Sequence, residues 1–230
     1  VWLGEAIGVD ELIYYMFSDR HRQKPDPDRR YDRIYIGGDY GQQNATTFEA
    51  FGLDTYRKKF PGLGEYYHSG RESGRQKSPS EYARDLVEFM DELHEQYENR
   101  IFYIFLDPSA KGLAEEVRRA TRTGLDYQVF LRDAENDVAL GISRVQKALV
   151  FDIMSISPKQ EYAVQEFGTY EYDKKSIEKG KEVPVKEADH CMDAIRYVVM
   201  GAWSNIKHWL PLDIVEDDVN IGDIGSREVR

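Results

Sequence analysis

The sequence predicts an α/β domain built on a mixed β-sheet with helices packed against its faces. Three strand-like segments come first, and alternating helical and strand-like segments follow them. A meander followed by strand–helix–strand crossovers gives a sheet with both antiparallel and parallel pairs. The chain has 230 residues, of which 41% are hydrophobic, so it can build a sizeable core.

The order of the elements follows from the spacing of the apolar residues. Strands are predicted where β-branched and aromatic residues alternate or run together, at 33–38, 46–53, 64–72, 100–107, 125–131 and 150–155. Helices are predicted where apolar residues recur every three or four positions, at 80–99, 112–122, 135–149, 157–167 and 187–203. Ser78 or Ser80 is the predicted cap of the first helix. Residues 168–186 alternate around Lys179 and Gly180, which predicts an added basic β-hairpin.

The composition predicts the domain boundaries and excludes some classes of protein. The proline-rich, charged segment "QKPDPDRRYD" predicts a linker region over 1–30 before a main domain over 31–210. Residues 211–230 are acidic and glycine-containing and are predicted to be a loose tail. A start at Val1 without methionine suggests a fragment of a longer protein. The single cysteine, Cys191, excludes an internal disulfide and fits a reducing compartment, and no segment is apolar enough to predict a membrane span.

The net charge argues against one class of function and is compatible with another. A formal charge of −11 disfavours a protein that binds nucleic acid through bulk positive charge. It does not exclude an enzyme that gathers carboxylates around metal ions, because the bound cations cancel part of that charge.

Three aspartates stand at positions where distant parts of the chain meet. Asp39 follows the strand "YIGG", and Asp107 follows the strand "FYIFL". Strand ends in an open α/β sheet bring such side chains into one crevice. Asp193 lies on the last helix, three residues after His190, so these two side chains are neighbours. Converging carboxylates repel one another unless cations lie between them, and oxygen ligands favour Mg²⁺ or Mn²⁺.

Each of these residues also has an ordinary structural explanation. Asp39 suits a turn, and Asp107 suits a helix cap. On the last helix, Asp189, His190, Asp193, Arg196 and Tyr197 fall opposite the apolar face and are also compatible with a solvated polar face. Only the conjunction of two strand-end aspartates and one helical aspartate favours a metal site.

That conjunction resembles a known family. "YIGGDYGQQNATTF", "IFLDPSAKGLAEEV" and "ADHCMDAIRYVVMGAW" resemble the ribonuclease H-like nucleases, and more closely the C-terminal nuclease domain of the large terminase subunit of tailed bacteriophages. The resemblance implies a ribonuclease H-like sheet and matches Asp39, Asp107 and Asp193 to the family's metal-binding aspartates. "GEAIGVDELIYYMFS" is similar to the segment that links the family's ATPase motor to its nuclease, whereas no G-x-x-x-x-G-K-[S/T] motif is present.

The resemblance implies two-metal hydrolysis of double-stranded DNA during genome packaging. Asp39 is the expected bridging ligand of two divalent cations, Mn²⁺ or Mg²⁺, with Asp107 and Asp193 completing the two coordination shells. His190 is expected to bind a cation or to hold a water near it, unless it is simply a surface histidine at a helix start. Because imidazole suits Mn²⁺ better than Mg²⁺, faster cleavage with Mn²⁺ is expected.

Lysines near the predicted site are candidate DNA contacts. Lys111, Lys179 and Lys181 are the first choices, and solvated surface lysines are the alternative. A second basic loop contains Arg71, Arg75 and Lys77. It is either a DNA contact or a solvated surface. Glu65 and Asp152 are acids with no assigned role, and solvent exposure is expected for both.

The sequence also predicts partners and is compatible with other classes of function. In a full terminase subunit, the expected partners besides DNA are the ATPase motor domain, the small terminase subunit and the portal, in the cytoplasm of the host and without a membrane. A Holliday-junction resolvase or a transposase-like nuclease would share the acids. A non-catalytic DNA or capsid interaction module would use the acids only for capping and solubility.

Overall fold

The computed structural model describes residues 12–41, 44–212 and 214, and within them it shows a six-stranded mixed sheet. The strands are β1 Arg33–Tyr40, β2 Ala45–Leu53, β3 Phe60–Ser69, β4 Ile101–Leu106, β5 Gln128–Asp133 and β6 Met154–Ser155. They lie in the order β5-β4-β1-β2-β3-β6. The pairs β1–β2 and β2–β3 are antiparallel, whereas β1–β4, β4–β5 and β3–β6 are parallel. The mixed sheet predicted from the sequence is therefore confirmed.

Helices cover both faces of this sheet. The helices are α1 Gly70–Ser73, α2 Pro79–Tyr97, α3 Lys111–Ala120, α4 Val138–Val150, α5 Glu161–Phe167, α6 Lys174–Ile177 and α7 His190–Ile206, with single 3-10 turns at Asp19–His21 and Lys207–Trp209. One core packs α2 and α3 against the sheet, and the other packs α4, α5 and α7 against the opposite face. No helix in the described residues is long and apolar enough to cross a bilayer.

Successive side chains along β1 point to opposite faces of the sheet and pack into the two cores alternately. Ile34 and Ile36 pack toward α2 and α3, whereas Tyr35 packs on the α7 side. A Cβ added to Gly37 would lie 2.0 Å from the carbonyl oxygen of Ala194 in α7. Gly37 therefore faces α7 and permits a backbone-to-backbone approach that no larger residue allows. Asp39, two residues further along the same face, points toward the start of α7.

Local capping explains where the first long helix begins. Ser78 accepts a hydrogen bond from the Glu81 backbone N–H, and the Glu81 carboxylate accepts one from the Ser78 backbone N–H. This reciprocal arrangement satisfies two otherwise unpaired donors and favours a helix start at Pro79. Of the two caps that the sequence allowed, Ser78 is the one used.

The predicted hairpin over 168–186 is reduced to one antiparallel bridge between Tyr172 and Pro184. Its tip is the short helix α6 instead of two strands. The Asp173 carboxylate accepts a hydrogen bond from the Lys175 backbone, and Gly180 turns the chain with a φ of 69°. Local capping by aspartate and the left-handed glycine favour a helical turn over a strand ladder.

The predicted outer segments are described only in part. Residues 1–11 and 215–230 lie outside the described residues, and the boundaries at 30 and 211 remain predictions. Within the described part, Ile13 and Tyr14 are buried against the α7-side core, and the Ile13 N–H donates to the Tyr170 carbonyl at 3.0 Å. Residues 12–17 are thus packed onto the domain.

The contact at Gly37 predicts a large loss of stability when a side chain is added. Gly37→Ala places a methyl group against the α7 backbone, so we expect it to lower the free energy of unfolding by about 3 kcal/mol or more. Gly112→Ala is the matched control, because its added Cβ would lie 3.9 Å from the nearest atom, in ordinary contact. That helical substitution is expected to be neutral or stabilising by about 0.5–1 kcal/mol. Urea unfolding of both variants checks this, and equal stabilities would contradict the close approach.

Candidate metal centre at the carboxyl end of the sheet

The register between β1 and β4 positions two of the predicted aspartates. These strands are parallel, and Gly38 is paired with Leu106 at the end of the ladder. Continuing the same register by one residue places Asp39 beside Asp107. Adjacent strands lie roughly 4.8 Å apart. Both carboxylates therefore lie at the same edge of the sheet, the one where β1 and β4 end.

Helix α7 brings the other two predicted residues to this edge. His190 is its first residue, and its Nδ1 lies 2.7 Å from Asp39 Oδ2. Asp193 lies in the same first turn, and its negative charge acts on Asp39. The structure thus gathers Asp39, Asp107, His190 and Asp193 from two strand ends and one helix start.

Asp107 is held by hydrogen bonds from three directions. Tyr197 of α7 donates its hydroxyl to Oδ2 at 2.9 Å, and the Asn136 amide donates to the same oxygen at 3.2 Å. The Ser109 backbone N–H donates to Oδ1 at 2.7 Å. Asp107 makes this turn contact, but it is not the N-cap of α3, which is Ala110.

Asp193 is paired with two cationic side chains, of which one is buried and the other is exposed. Arg196 donates from Nη2 to Oδ1 at 2.6 Å and is fully buried. Lys186 lies with Nζ 3.4 Å from Oδ2, and its side chain is 62% exposed. The alternative explanation, a solvated face on the last helix, is wrong in this respect, because Arg196, Tyr197 and Asp189 are all buried.

The pKa values reflect these environments. Burial raises the pKa of the Asp39 carboxyl, although the His190 contact opposes the rise. The bond to Asp39 raises the pKa of His190 despite the opposing effect of burial. Burial also opposes ionisation of Asp107, but hydrogen bonds from Ser109 and Tyr197 prevail and lower its pKa. Compared with Asp107, Asp39 is therefore the carboxylate whose ionised form a nearby cation would stabilise more.

The donor atoms suit a hard divalent ion, although each carboxylate is paired with protein groups here. Three carboxylates and an imidazole at one edge form the donor set that Mg²⁺ and Mn²⁺ accept. Within the described residues, the three aspartates do not form a group whose ligand atoms all lie within 4.8 Å of one another. Each carboxylate instead contacts a protein group, which is His190 for Asp39, Tyr197 for Asp107 and Arg196 for Asp193. Binding of a cation would exchange some of these partners for the ion.

A second acidic cluster lies on the same face of the sheet, one pleat further from the strand ends. Glu49, Glu65 and Cys191 have ligand atoms within 4.8 Å of one another. Glu49 is fully buried, and its oxygens accept hydrogen bonds from Thr47 at 3.1 Å and Gln160 at 2.8 Å. Burial and the neighbouring Glu65 raise the pKa of Glu49, which favours its protonated form. These groups are already satisfied by protein donors, so the cluster is a buried polar network.

Two glutamates of this region hold helix starts. Glu65 accepts hydrogen bonds from the backbone N–H groups of Tyr162 and Ala163 at the start of α5. Glu166, at the end of α5, accepts from the N–H groups of Cys191 and Met192 at the start of α7. The expectation of an exposed Glu65 is therefore wrong, whereas Asp152 is exposed as expected. Glu166 fixes the turn that carries His190 and Asp193.

Sequence inspection missed Glu49 and Glu166 as structural groups around the site. The available signal for Glu49 was its position in a strand of otherwise buried residues, two positions from Thr47 on the same face. No sequence pattern pairs Glu166 with the start of α7, because that contact joins residues 25 positions apart.

The basic residues proposed as DNA contacts lie at the surface. Lys111 begins α3 close to Asp107, and both line a cleft of about 230 Å³ together with Arg118. Lys179 and Lys181 are exposed in the segment that precedes α7. In the second basic loop, Arg75 and Lys77 form salt bridges with Glu81 and Asp85, and Arg71 is exposed.

Comparison with known structures identifies relatives of this fold. No protein-family model matches the chain, and no curated protein matches it significantly. A large terminase from a thermophilic bacteriophage, called here the thermophilic-phage large terminase, is 33% identical, with a TM-score of 0.70, and the match covers 82% of this chain and 43% of that one. The nuclease domain of the P22 large terminase is 16% identical, with a TM-score of 0.62 over 84% of this chain and 92% of that one.

A third relative has been solved with metals. The large terminase nuclease of phage G20c with bound magnesium is 16% identical, with a TM-score of 0.53 over 82% of this chain and 96% of that one. The same nuclease has also been solved with bound cobalt.

The mixed sheet flanked by helices defines a ribonuclease H-like α/β domain. Within that class, the chain is similar to part of a large terminase, and its fold is that of large terminase nuclease domains. It spans less than half the length of the thermophilic-phage large terminase that it matches.

The buried Glu166 predicts a characteristic pH dependence of stability. Burial raises its pKa from 4.5 to about 8, although the two α7 N–H groups and His190 oppose the rise. The native state therefore binds the proton more tightly than the unfolded state, and Glu166 contributes stability at low pH that is lost as pH rises toward about 8.

Glu166→Gln keeps an acceptor for α7 but cannot ionise. We expect it to match the wild type near pH 5 and to exceed it by roughly 2–4 kcal/mol near pH 9. Denaturant unfolding at both pH values measures the difference. Parallel pH profiles for the two proteins would show that Glu166 does not titrate in this way.

Proposed function

We propose that the chain is a metal-dependent endonuclease that cleaves double-stranded DNA during packaging of a phage genome. The observation that supports it most strongly is the register that sets Asp39 beside Asp107, with α7 bringing His190 and Asp193 to the same edge. Similarity to the thermophilic-phage large terminase, and to nuclease domains of the same fold, supports the assignment of chemistry.

Two divalent cations fit the donors at this edge. Asp39, Asp107 and Asp193 would hold these ions, and Mn²⁺ or Mg²⁺ are the ions that we propose. When bound, such ions lower the pKa of a water and stabilise the charge that develops on the phosphate. The G20c nuclease with bound magnesium and bound cobalt supports this choice.

The chain's own residues orient the ligands. Tyr197 keeps the Asp107 carboxylate turned toward α7, and Arg196 keeps Asp193 in place. His190 uses Nδ1 for Asp39, which leaves Nε2 as its second polar atom. Each ligand is thus oriented by a neighbour, as in other metal sites in proteins.

Surface cations are the proposed contacts to the DNA backbone. Lys111 lies at the cleft beside Asp107, and Lys179 and Lys181 lie on the segment that precedes α7. With a net charge of −11, the domain would bind DNA weakly by itself. A larger assembly would hold the DNA while the nuclease cuts it.

We infer that the complete protein carries an ATPase motor domain. The thermophilic-phage large terminase, of which this chain matches 43%, has been solved in complex with ATP-gamma-S and with ADP. The small terminase subunit and the portal are the other proposed partners, in the host cytoplasm.

Plasmid digestion tests the proposal directly. We expect cleavage with Mn²⁺ or Mg²⁺ and none with chelator, and a loss of at least about 100-fold on Asp39→Ala or Asp107→Ala. Asp126→Ala is the control, because it removes an exposed carboxylate next to the opposite end of β5.

The substrate distinguishes the competing functions. Preferential cutting of four-way junctions over linear duplex would favour a resolvase, and the absence of cleavage with either metal would favour a non-catalytic module. Unchanged cleavage by both aspartate variants would contradict the assigned site.

The role of His190 predicts a metal preference. Because imidazole suits Mn²⁺ better than Mg²⁺, we expect faster cleavage with Mn²⁺. His190→Gln keeps a group that can hydrogen-bond to Asp39, so it should narrow the Mn²⁺ to Mg²⁺ rate ratio with little change in melting temperature. Equal rates with both ions in the wild type would remove the reason to assign His190 as a ligand.

A further inference from the structure

The two oxygens of Asp193 face cations that differ in mobility. Oδ1 accepts from Arg196, which has no exposed surface and is packed against Gly141 of α4. Oδ2 faces Lys186, a long side chain that is 62% exposed. The first partner is fixed by packing, whereas the second can move into solvent.

Lys186 also faces a second carboxylate. Its Nζ lies 3.4 Å from Asp189 Oδ2 as well as 3.4 Å from Asp193 Oδ2. Asp189 is 6% exposed, and its Oδ2 is a buried atom that has no hydrogen-bond partner among the described residues. This oxygen is paired with the Lys186 ammonium but has no well-aligned hydrogen bond, which is unusual for a buried carboxylate and leaves it able to accept another ligand.

The position between these two oxygens is therefore a cation position that a flexible lysine fills. Ion pairs formed by exposed lysines contribute little, because the side chain loses conformational freedom and solvent screens the charge. A divalent ion carries twice the charge and has no side-chain entropy to lose. It can displace the ammonium but not the buried guanidinium of Arg196.

We propose that Lys186 is an internal competitor for the divalent cation at Asp193, and that Asp189 becomes a further ligand when Lys186 leaves. This inference rests on the proposed function, because it concerns the cation that Asp193 would bind. Asp193 then presents Oδ2 to the ion while Arg196 retains Oδ1. Lys186 holds the two carboxylates together in the absence of the ion.

Mn²⁺ binding without DNA tests the competition, with free Mn²⁺ measured by electron paramagnetic resonance. Lys186→Met keeps the apolar stem and removes the charge, so we expect Mn²⁺ to bind on the order of fivefold more tightly. Lys186→Arg keeps a cation and should bind within about twofold of the wild type. Lys24→Met is the matched control, because it removes an exposed charge near Pro61 and Ser155 in a cleft that none of the proposed ligands line.

A second variant tests the added ligand. In the Lys186→Met background, Asp189→Asn should reverse the gain in affinity, whereas a purely structural Asp189 would leave Mn²⁺ binding unchanged at equal melting temperature. Unchanged or weaker binding by Lys186→Met would overturn the inference.

The outcomes separate this inference from the proposed function. If the wild type binds Mn²⁺ and Asp39→Ala abolishes that binding, while Lys186→Met has no effect, the metal centre stands and the competitor role fails. If neither the wild type nor Lys186→Met binds Mn²⁺, both proposals fail.

Discussion

The close approach of α7 to β1 at Gly37 is the constraint on which the rest of the site depends. An added Cβ there would lie 2.0 Å from the Ala194 carbonyl oxygen, so the helix backbone rests directly on the strand. This contact brings the first turn of α7 over the end of β1 and places His190 against Asp39. The parallel register with β4 then adds Asp107 without further adjustment. A shift of one residue in that register would send one aspartate to the opposite face.

The structure balances its site charges with protein groups. Asp39 is paired with His190, Asp107 accepts from Tyr197, and Asp193 accepts from Arg196. These partners reduce the cost of gathering carboxylates in a partly buried crevice. They also occupy carboxylate oxygens, so a bound cation must compete with them. A buried partner such as Arg196 orients the carboxylate, whereas a bound cation can displace an exposed partner.

The sequence predicts the sheet and the meeting of its acids because both follow from local patterns. Strand-end positions identify Asp39 and Asp107, and chain order places them in one crevice. Contacts between distant segments do not show in local patterns, so a solvated face remained an alternative for Arg196, although other segments bury it. The role of Glu166 at the start of α7 was missed for the same reason. In residues 168–186, aspartate capping and a left-handed glycine outweigh the alternation that predicted a hairpin.

Anomalous diffraction from crystals soaked in Mn²⁺ tests most directly whether the three aspartates bind a divalent cation. We expect Mn²⁺ at the edge of the sheet where β1 and β4 end, bound by Asp39 and Asp107 and by Asp193 from α7. Mn²⁺ bound only at Glu49, Glu65 and Cys191, where ligand atoms are already within 4.8 Å of one another, would contradict it. So would crystals in which the aspartates keep their protein partners at saturating Mn²⁺.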